Sequence, residues 1–166
     1  MIEREIGPAE DAAPVEMLAT LFEARGWPHE RTGPDEISGE VKGSWTTYQF
    51  QGVWREEDRV LQLLCLPDIR AADDKRAAFY EALSLVNEQL WLGHFDVWSN
   101  GGVLLYRHAM MLGDDGLLSP GHAQHAVEAA IEECDRFYPV FQFIQWGDKT
   151  PQEALDAALV DAAGEA

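Results

Sequence analysis

Hydrophobic residues recur three or four positions apart in three stretches of the chain, which is the spacing of amphipathic helices. The first stretch runs from about Pro14 to Arg25, and Gly26 follows where a left-handed residue ends a helix. The second runs from about Asp73 to Leu92, with Trp91 counted in its apolar stripe. The third begins after Ser119, whose hydroxyl suits the N-cap position. Three long helices are therefore predicted.

Proline and capping residues set the end of the third helix and the start of a fourth. Pro139 lacks the N–H that continues a helix, so we expect it to break or kink the third helix. Thr150 and Glu153 form a capping-box pattern that begins a short C-terminal helix over residues 150–160. Residues 161–166 are expected to fray, as chain ends do when nothing ties them down.

Between the first two helices the period of the pattern changes to two, as in a strand with one buried face. Tyr48, Phe50 and Trp54 fall on one face of a long predicted strand and alternate with polar residues. Shorter strands are predicted on both sides of it along the chain. The three predicted strands are Ile37–Val41, Ser44–Arg55 and Arg59–Leu66.

Two more strands are predicted after the second helix, over His94–Ser99 and Val103–Leu112. The Asn-Gly pair at 100–101 suits a type I′ hairpin turn between them. The element order is then α-β-β-β-α-β-β-α with a terminal addition. The predicted fold class is α+β, with a single antiparallel-rich sheet flanked by helices. We expect one domain over residues 1–166, with its core at about 14–146.

The charge balance narrows the range of partners. The chain has 30 acidic and 12 basic residues, a formal charge of −18 at neutral pH. Such a surface repels nucleic-acid phosphates and anionic membranes, and the basic residues form no continuous stripe. We therefore expect no nucleic-acid partner and no membrane partner, and a preference for basic or uncharged partners.

The cysteines and the N-terminus indicate the compartment. Cys65 and Cys134 lie in apolar surroundings, far apart in sequence and outside any CxxC motif, so buried free thiols are expected. Met1–Glu5 lacks a basic region followed by an apolar run, which predicts no signal peptide. No apolar stretch reaches membrane-spanning length. A cytoplasmic location is predicted.

A set of signature residues is spread along the chain from about Leu18 to Trp146, and the closing segment over residues 146–154 extends it. They are Gly43, Trp45, Trp54-Arg55, Leu61-Leu63, Asn87, Gly93-His94-Phe95, Gly102-Val103, Tyr106-Arg107, Leu118-Ser119 and Tyr138-Pro139. Together and in this order they resemble the YbjN-like family of bacterial proteins. The resemblance implies a fold similar to class I type III secretion chaperones. It also implies a dimeric, chaperone-like or regulatory protein without a catalytic motif.

One grouping on the third helix offers an alternative function. His122 and His125 are three positions apart, and Glu128 continues the face of His125, so the three could hold zinc. A solvated helix face explains the same residues, because a zinc site needs three or four converging ligands. A small-molecule-binding or metal-binding enzyme centred on these residues is the alternative hypothesis.

A cysteine nucleophile is a further alternative. Cys65 or Cys134 could act with His94 and Asp96, since such groupings meet only in the folded chain. Apolar burial, however, raises the pKa of a thiol and makes it inert. The prediction is accordingly a non-enzymatic protein with no catalytic residue, no metal and no cofactor.

Two polar residues in apolar settings are expected to have structural roles. Asn87, near the end of the second helix, is expected to cap or hold the following loop. Arg107 lies in mid-strand and is expected to pair with an acid such as Glu88, Asp96 or Glu133.

The remaining functional signal is aromatic. The chain has six tryptophans, and exposed tryptophan dominates binding hot spots. Trp45, Trp54 and Trp98 are the predicted partner-binding residues. We expect them to capture an extended or amphipathic segment of an unidentified partner protein.

Self-association is predicted as well. An open sheet edge presents unsatisfied N–H and C=O groups, and the resemblance implies pairing through the second helix and the next strand. The predicted residues of this homodimer interface are Leu85, Gln89, Leu92 and Trp98. Because each copy carries a formal −18, screening by salt should strengthen the dimer.

Overall fold

A six-stranded sheet organises the fold. The structure is a computed structural model and describes residues 10–165. Met1–Glu5, on which the prediction of no signal peptide depends, lies outside the described residues. The elements in chain order are α1 Pro14–Arg25, β1 His29–Gly33, β2 Glu36–Lys42, β3 Thr47–Arg55, β4 Val60–Leu66, a 3-10 turn Asp73–Lys75, α2 Arg76–Asn87, β5 His94–Val97, β6 Leu104–Met111, α3 Pro120–Gly147 and α4 Pro151–Glu165.

The sheet is antiparallel throughout, with the strand order β1-β2-β3-β4-β6-β5. Tyr48, Phe50 and Trp54 of β3 are all buried on one face, as their alternation predicts. Helices pack on this face, where Phe95 of β5 meets Phe137 of α3 with ring centroids 6.0 Å apart. We call it the helix face. The predicted α+β class with a single antiparallel sheet is confirmed.

The opposite face of the sheet, the open face, carries polar side chains. Gln51 on β3 and Gln62 on β4 lie there, as does Arg107 on β6. Arg107 donates to the Gln62 side-chain oxygen at 2.8 Å and lies 3.7 Å from the Asp96 carboxylate. The predicted pairing of Arg107 with an acid is therefore confirmed, and the acid is Asp96.

The sequence pattern predicts three strands before the second helix, but the structure has four. The additional strand is β1, His29–Gly33, at the sheet edge beside β2. Its sequence, His-Glu-Arg-Thr-Gly, shows no hydrophobic alternation because its residues are exposed or only half-buried. Period two appears in a sequence only where one face of a strand is buried. The observed order begins α-β-β-β-β-α and continues β-β-α-α.

The second helix is shorter than predicted. Asp73–Lys75 forms a 3-10 turn, and α2 ends at Asn87. The Phe95 N–H donates to Asn87 Oδ1 at 2.8 Å, and Asn87 Nδ2 donates to the Phe95 carbonyl at 3.2 Å. Asn87 thus holds the following loop, as predicted. Trp91 falls outside the helix.

The loop between β5 and β6 is longer than the predicted two-residue turn. It covers residues 98–103, and positive φ occurs at Gly101 (87°) and Gly102 (67°). The prediction of a type I′ turn with its positive φ at Asn100 and Gly101 is therefore wrong. Packing requires Gly102, because a Cβ there would lie 2.7 Å from the carbonyl oxygen of Ala71.

The third helix runs without a break from Pro120 to Gly147. Of the two predicted effects of Pro139, the break is wrong and the kink stays a prediction. Proline removes the N–H that would bond to the carbonyl of Asp135, four residues earlier. The indole N–H of Trp45 donates to that carbonyl instead, at 2.8 Å. A side chain from outside the helix thus satisfies the freed acceptor, which lets the helix continue.

Both predicted helix caps are confirmed. Ser119 Oγ accepts from the His122 N–H at 3.1 Å. The Thr150 N–H donates to Glu153 Oε1 at 3.0 Å, and the Glu153 N–H donates to Thr150 Oγ1 at 3.2 Å. Helix α4 packs against α2 and α3 and is longer than predicted. The fraying of residues 161–166 stays a prediction, because their side chains lie outside the described residues.

Candidate functional site

One group of signature residues converges on Asp135 of α3. The Asp135 carboxylate accepts hydrogen bonds from the Ser44 N–H at 2.8 Å and from the Tyr48 hydroxyl at 2.6 Å. Burial, together with this bond to Asp135, holds the pKa of Tyr48 well above its usual value, so the hydroxyl stays a neutral donor. A Cβ at Gly43 would collide with the Tyr48 ring. The Asp135 cluster consists of Gly43, Ser44, Trp45, Tyr48, Asp135 and Tyr138.

Trp45 is fixed at the rim of this cluster. Its ring stacks on Tyr138, with centroids 6.2 Å apart and 5° between the planes. Its indole N–H is bound to the Asp135 carbonyl. Even so, 51% of the residue is exposed. Trp45 therefore presents a pre-organised aromatic surface, which loses little conformational freedom on binding a partner.

A second group of signature residues fixes the chain between α2 and β5. Gly93 has φ of 66°, and a Cβ there would collide with the Tyr106 hydroxyl. That hydroxyl donates to the Leu92 carbonyl at 2.8 Å, while Asn87 binds the backbone of Phe95. These signature residues hold a loop in place and bring no reactive groups together.

The loop held in this way carries Trp91, the most exposed large apolar residue in the described part of the chain, at 97%. Leu92 beside it is 52% exposed. Trp98, just after β5, is 39% exposed, and Tyr80 is exposed on α2, which packs against β5. Exposed large apolar residues are typical of protein interaction surfaces. The aromatic edge consists of Tyr80, Trp91, Leu92 and Trp98.

The four residues predicted for the dimer interface differ in their relation to the aromatic edge. Leu92 and Trp98 belong to it. Leu85 is partly buried against the core, and Gln89 is half-buried. The sequence pattern misses Trp91 because it extends the second helix to Leu92 and counts Trp91 in the core stripe. Only the end of the helix at position 87 reveals its exposure.

Trp54, one of the three predicted partner-binding residues, does not lie at the surface. It is 7% exposed and belongs to the core, where its indole N–H donates to Glu56 Oε1 at 2.8 Å. The period-two pattern that it shares with Tyr48 already places it on the buried face of β3. Trp45 and Trp98 are the two of the three that lie at the surface.

Strand β5 is an outer strand, but its edge is guarded. The N–H and C=O of Phe95 are both bound by the Asn87 side chain. The Val97 N–H donates to Asp96 Oδ1 at 2.9 Å. The edge of β5 therefore offers no unpaired N–H of Phe95 or Val97 to drive dimerisation, and an interface here must be built from side chains.

His122, His125 and Glu128 do not assemble a metal site. The Glu128 carboxylate accepts from Arg25 at 2.7 Å and from Gln124 at 3.3 Å. The bond from Arg25 is the main reason that the pKa of Glu128 is lowered. Within the described part of the chain, no three His, Cys, Asp or Glu side chains are placed to hold a metal ion. The alternative enzyme hypothesis thus loses its proposed centre.

The cysteine grouping is not assembled either. Cys65 and Cys134 are free and buried, as predicted, and they lie together on the helix face. Burial raises the pKa of Cys134 well above its usual value. His94 and Asp96 lie on the open face, since His94 pairs with Arg107 in the sheet register. The sheet therefore separates the thiols from both proposed partners.

Fold and surface together define a class of protein, an α+β domain with one antiparallel sheet, helices on one face and an exposed aromatic edge beside α2. None of the described helices has the length and apolarity needed to cross a bilayer. The model of the YbjN family, described as "Putative bacterial sensory transduction regulator", matches residues 14–143. The chain belongs to this family, which confirms the resemblance. A search of curated proteins found no match.

Proposed function

We propose that the protein is a non-enzymatic, chaperone-like regulator that acts as a homodimer and captures a segment of a partner protein. The exposure of Trp91 and Leu92 carries the proposal, because Asn87 and Tyr106 fix the loop that bears them. Membership of a family described by a regulatory role supports it. A cytoplasmic location is part of the proposal, supported by the two free buried thiols.

A second copy of the chain is the proposed occupant of the aromatic edge. A two-fold interface uses the same patch twice, so that Trp91 and Trp98 of both copies become buried together. Each fully buried tryptophan removes roughly 150–250 Å² from water. Two aromatic edges, bordered by Leu85 and Gln89, thus supply the apolar centre of a specific interface.

Charge opposes this association. Each copy carries a formal −18, and most of the carboxylates are at the surface. Repulsion between two such copies is long-ranged at low salt and is screened at high salt, whereas burial of Trp91 and Leu92 is not screened. Salt should therefore strengthen the dimer.

Partner capture is assigned to surfaces outside the centre of the dimer contact. Trp45 offers a rigid half-exposed ring at the rim of the Asp135 cluster. The acidic surface favours a basic or uncharged partner segment and disfavours nucleic acid and anionic membranes.

Sedimentation velocity over a salt series tests the dimer. Between about 0.01 M and about 1 M salt the Debye length falls from roughly 30 Å to roughly 3 Å. We expect the sedimentation coefficient to rise toward the dimer value as salt increases at constant protein concentration. A monomer at every salt concentration would refute the homodimer.

A further inference from the structure

The second outer strand of the sheet is β1, and no described residue is hydrogen-bonded along its outer edge. The Glu40 N–H donates to the Pro28 carbonyl at 2.9 Å, and His29 pairs with Gly39 in the antiparallel register. Bonded and non-bonded pairs alternate in such a register, so the N–H and C=O groups of His29 and Arg31 point away from β2. No described residue is hydrogen-bonded to the outward N–H and C=O groups of His29 and Arg31.

The two edges of the sheet thus differ in whether side chains bind their outward backbone groups. At β5, the side chains of Asn87 and Asp96 occupy the outward N–H groups of Phe95 and Val97. At β1, the side-chain hydrogen bonds of the described residues go to other groups and leave the outward groups of His29 and Arg31 without a side-chain partner among those residues. Because no described residue covers the outer edge of β1, that edge has the geometry needed for adding a further strand.

A groove runs along the open face beside β1. Its volume is about 320 Å³. Glu40 and Gln49 also line a second groove, of about 540 Å³, that reaches the loop after β4. Neither Glu30 nor Glu40 forms an ion pair with a described residue. The groove beside β1 is lined by Pro28, His29, Glu30, Ser38, Gly39, Glu40 and Gln49.

We infer that β1 is a docking strand that receives an extended, lysine- or arginine-containing segment of a partner protein as a seventh strand of the sheet. This inference rests on the proposed capture of a partner segment and gives that capture a site. Main-chain hydrogen bonds to His29 and Arg31 supply affinity that is independent of sequence. Basic side chains of the added strand reach Glu30 and Glu40 across the open face and supply the preference.

A second copy of this chain is a poor occupant of the same edge. Its own β1 would bring another Glu30 to the shared face, and the copy carries the same formal −18. Arg31 lies on the other face of β1 from Glu30, because successive side chains of a strand alternate and Arg31 pairs with the buried Ile37. The acidic groove therefore selects against self-pairing and in favour of a basic chain.

A synthetic peptide in which lysine and threonine alternate, carrying a fluorescent label, is the probe. We expect it to bind the full-length protein in a fluorescence anisotropy titration, and the same peptide with glutamate for lysine not to bind. In hydrogen exchange, the amides of His29 and Arg31 should become protected when the lysine peptide is present. Failure of the lysine peptide to bind, or equal binding of the glutamate peptide, would overturn the inference.

Arg31→Pro separates backbone pairing from charge. The Arg31 N–H points away from β2, so proline there removes an outward donor while leaving the ladder to β2 intact. Arg31→Ala is the matched control, since it removes the same charge and keeps the N–H. We expect Arg31→Pro to weaken peptide binding by roughly tenfold or more, and Arg31→Ala to leave it unchanged or tighter. Equal affinities of the two variants would refute strand addition.

Glu30→Lys tests the charge preference, with Glu57→Lys as control because Glu57 is exposed in the turn between β3 and β4. Only Glu30→Lys should weaken binding, by about tenfold. Binding that is lost in Trp45→Ala and retained in Arg31→Pro would overturn the β1 site and leave partner capture standing. The proposed homodimer fails separately, in the salt series.

Discussion

Trp45 and Pro139 act on the same backbone carbonyl. Pro139 frees the Asp135 carbonyl within α3, and the Trp45 indole N–H occupies it. Trp45→Phe keeps an aromatic ring against Tyr138 but removes the donor. We expect it to lower the free energy of unfolding by about 1 kcal/mol, the usual net value of such a bond.

A double-mutant cycle tests this coupling. In a Pro139→Ala background, residue 139 regains the N–H that bonds to Asp135, so the hydrogen-bond loss in Trp45→Phe should cost less there than in the wild-type chain. Urea unfolding of the four proteins gives the coupling. Equal costs of Trp45→Phe in both backgrounds would show that the carbonyl is not shared.

His108 makes stability depend on pH. It lies on the helix face of β6, and burial, followed by the charge of His122 on α3, lowers its pKa below the usual 6.5. The unfolded chain therefore binds this proton more readily than the folded chain does. The contribution of His108 to the free energy of unfolding is complete above about pH 6.5. It is lost as the pH falls through the lower pKa of His108 in the folded chain.

The matching variant is His108→Gln, with His125→Gln as control because His125 is exposed on α3. Unfolding free energies at about pH 7.5 and about pH 5 should differ less for His108→Gln than for the wild type. The raised pKa of Glu133 makes the free energy of unfolding change with pH in the opposite direction. This effect cancels in the comparison because both proteins contain Glu133. A pH dependence of His108→Gln equal to that of the wild type would contradict the assignment.

At the scale of elements, the hydrophobic pattern predicts the helices and strands that contact the core. The strand containing Tyr48 and Phe50 and the helix after Ser119 follow from periodicity and capping alone. β1 is missed because an edge strand with no buried face has no period to detect. The uninterrupted helix at Pro139 is missed because the compensating donor, Trp45, is 94 residues away in sequence.

Asn87 binds the outward N–H and C=O of Phe95 at the edge of β5, and this leads to a further prediction. Asn87→Ala leaves the N–H and C=O of Phe95 without their partners. We expect a loss of about 1–3 kcal/mol in unfolding free energy and faster hydrogen exchange at the Phe95 amide. Asn100→Ala, in the exposed loop after β5, is the control. An unchanged Phe95 exchange rate would contradict the guarding role.

At the scale of the whole molecule, family, fold class and part of the candidate surface are predictable from the sequence. Leu92 and Trp98 are named in advance because the resemblance implies pairing through the second helix and the strand that follows it. Trp91 is not, since its exposure depends on where α2 ends, and that end is set by a tertiary contact between Asn87 and Phe95. The two sheet edges likewise differ through contacts that no local pattern contains.

The most direct test of the account compares the wild type with a Trp91→Ser, Leu92→Ser double variant and with Trp146→Ser. Trp146 is an exposed tryptophan at the end of α3, outside the aromatic edge, and so controls for the loss of apolar surface in general. Sedimentation velocity at high salt should show dimers for the wild type and for Trp146→Ser, and monomers for the double variant. The same oligomeric state in all three proteins would contradict a dimer built on the aromatic edge.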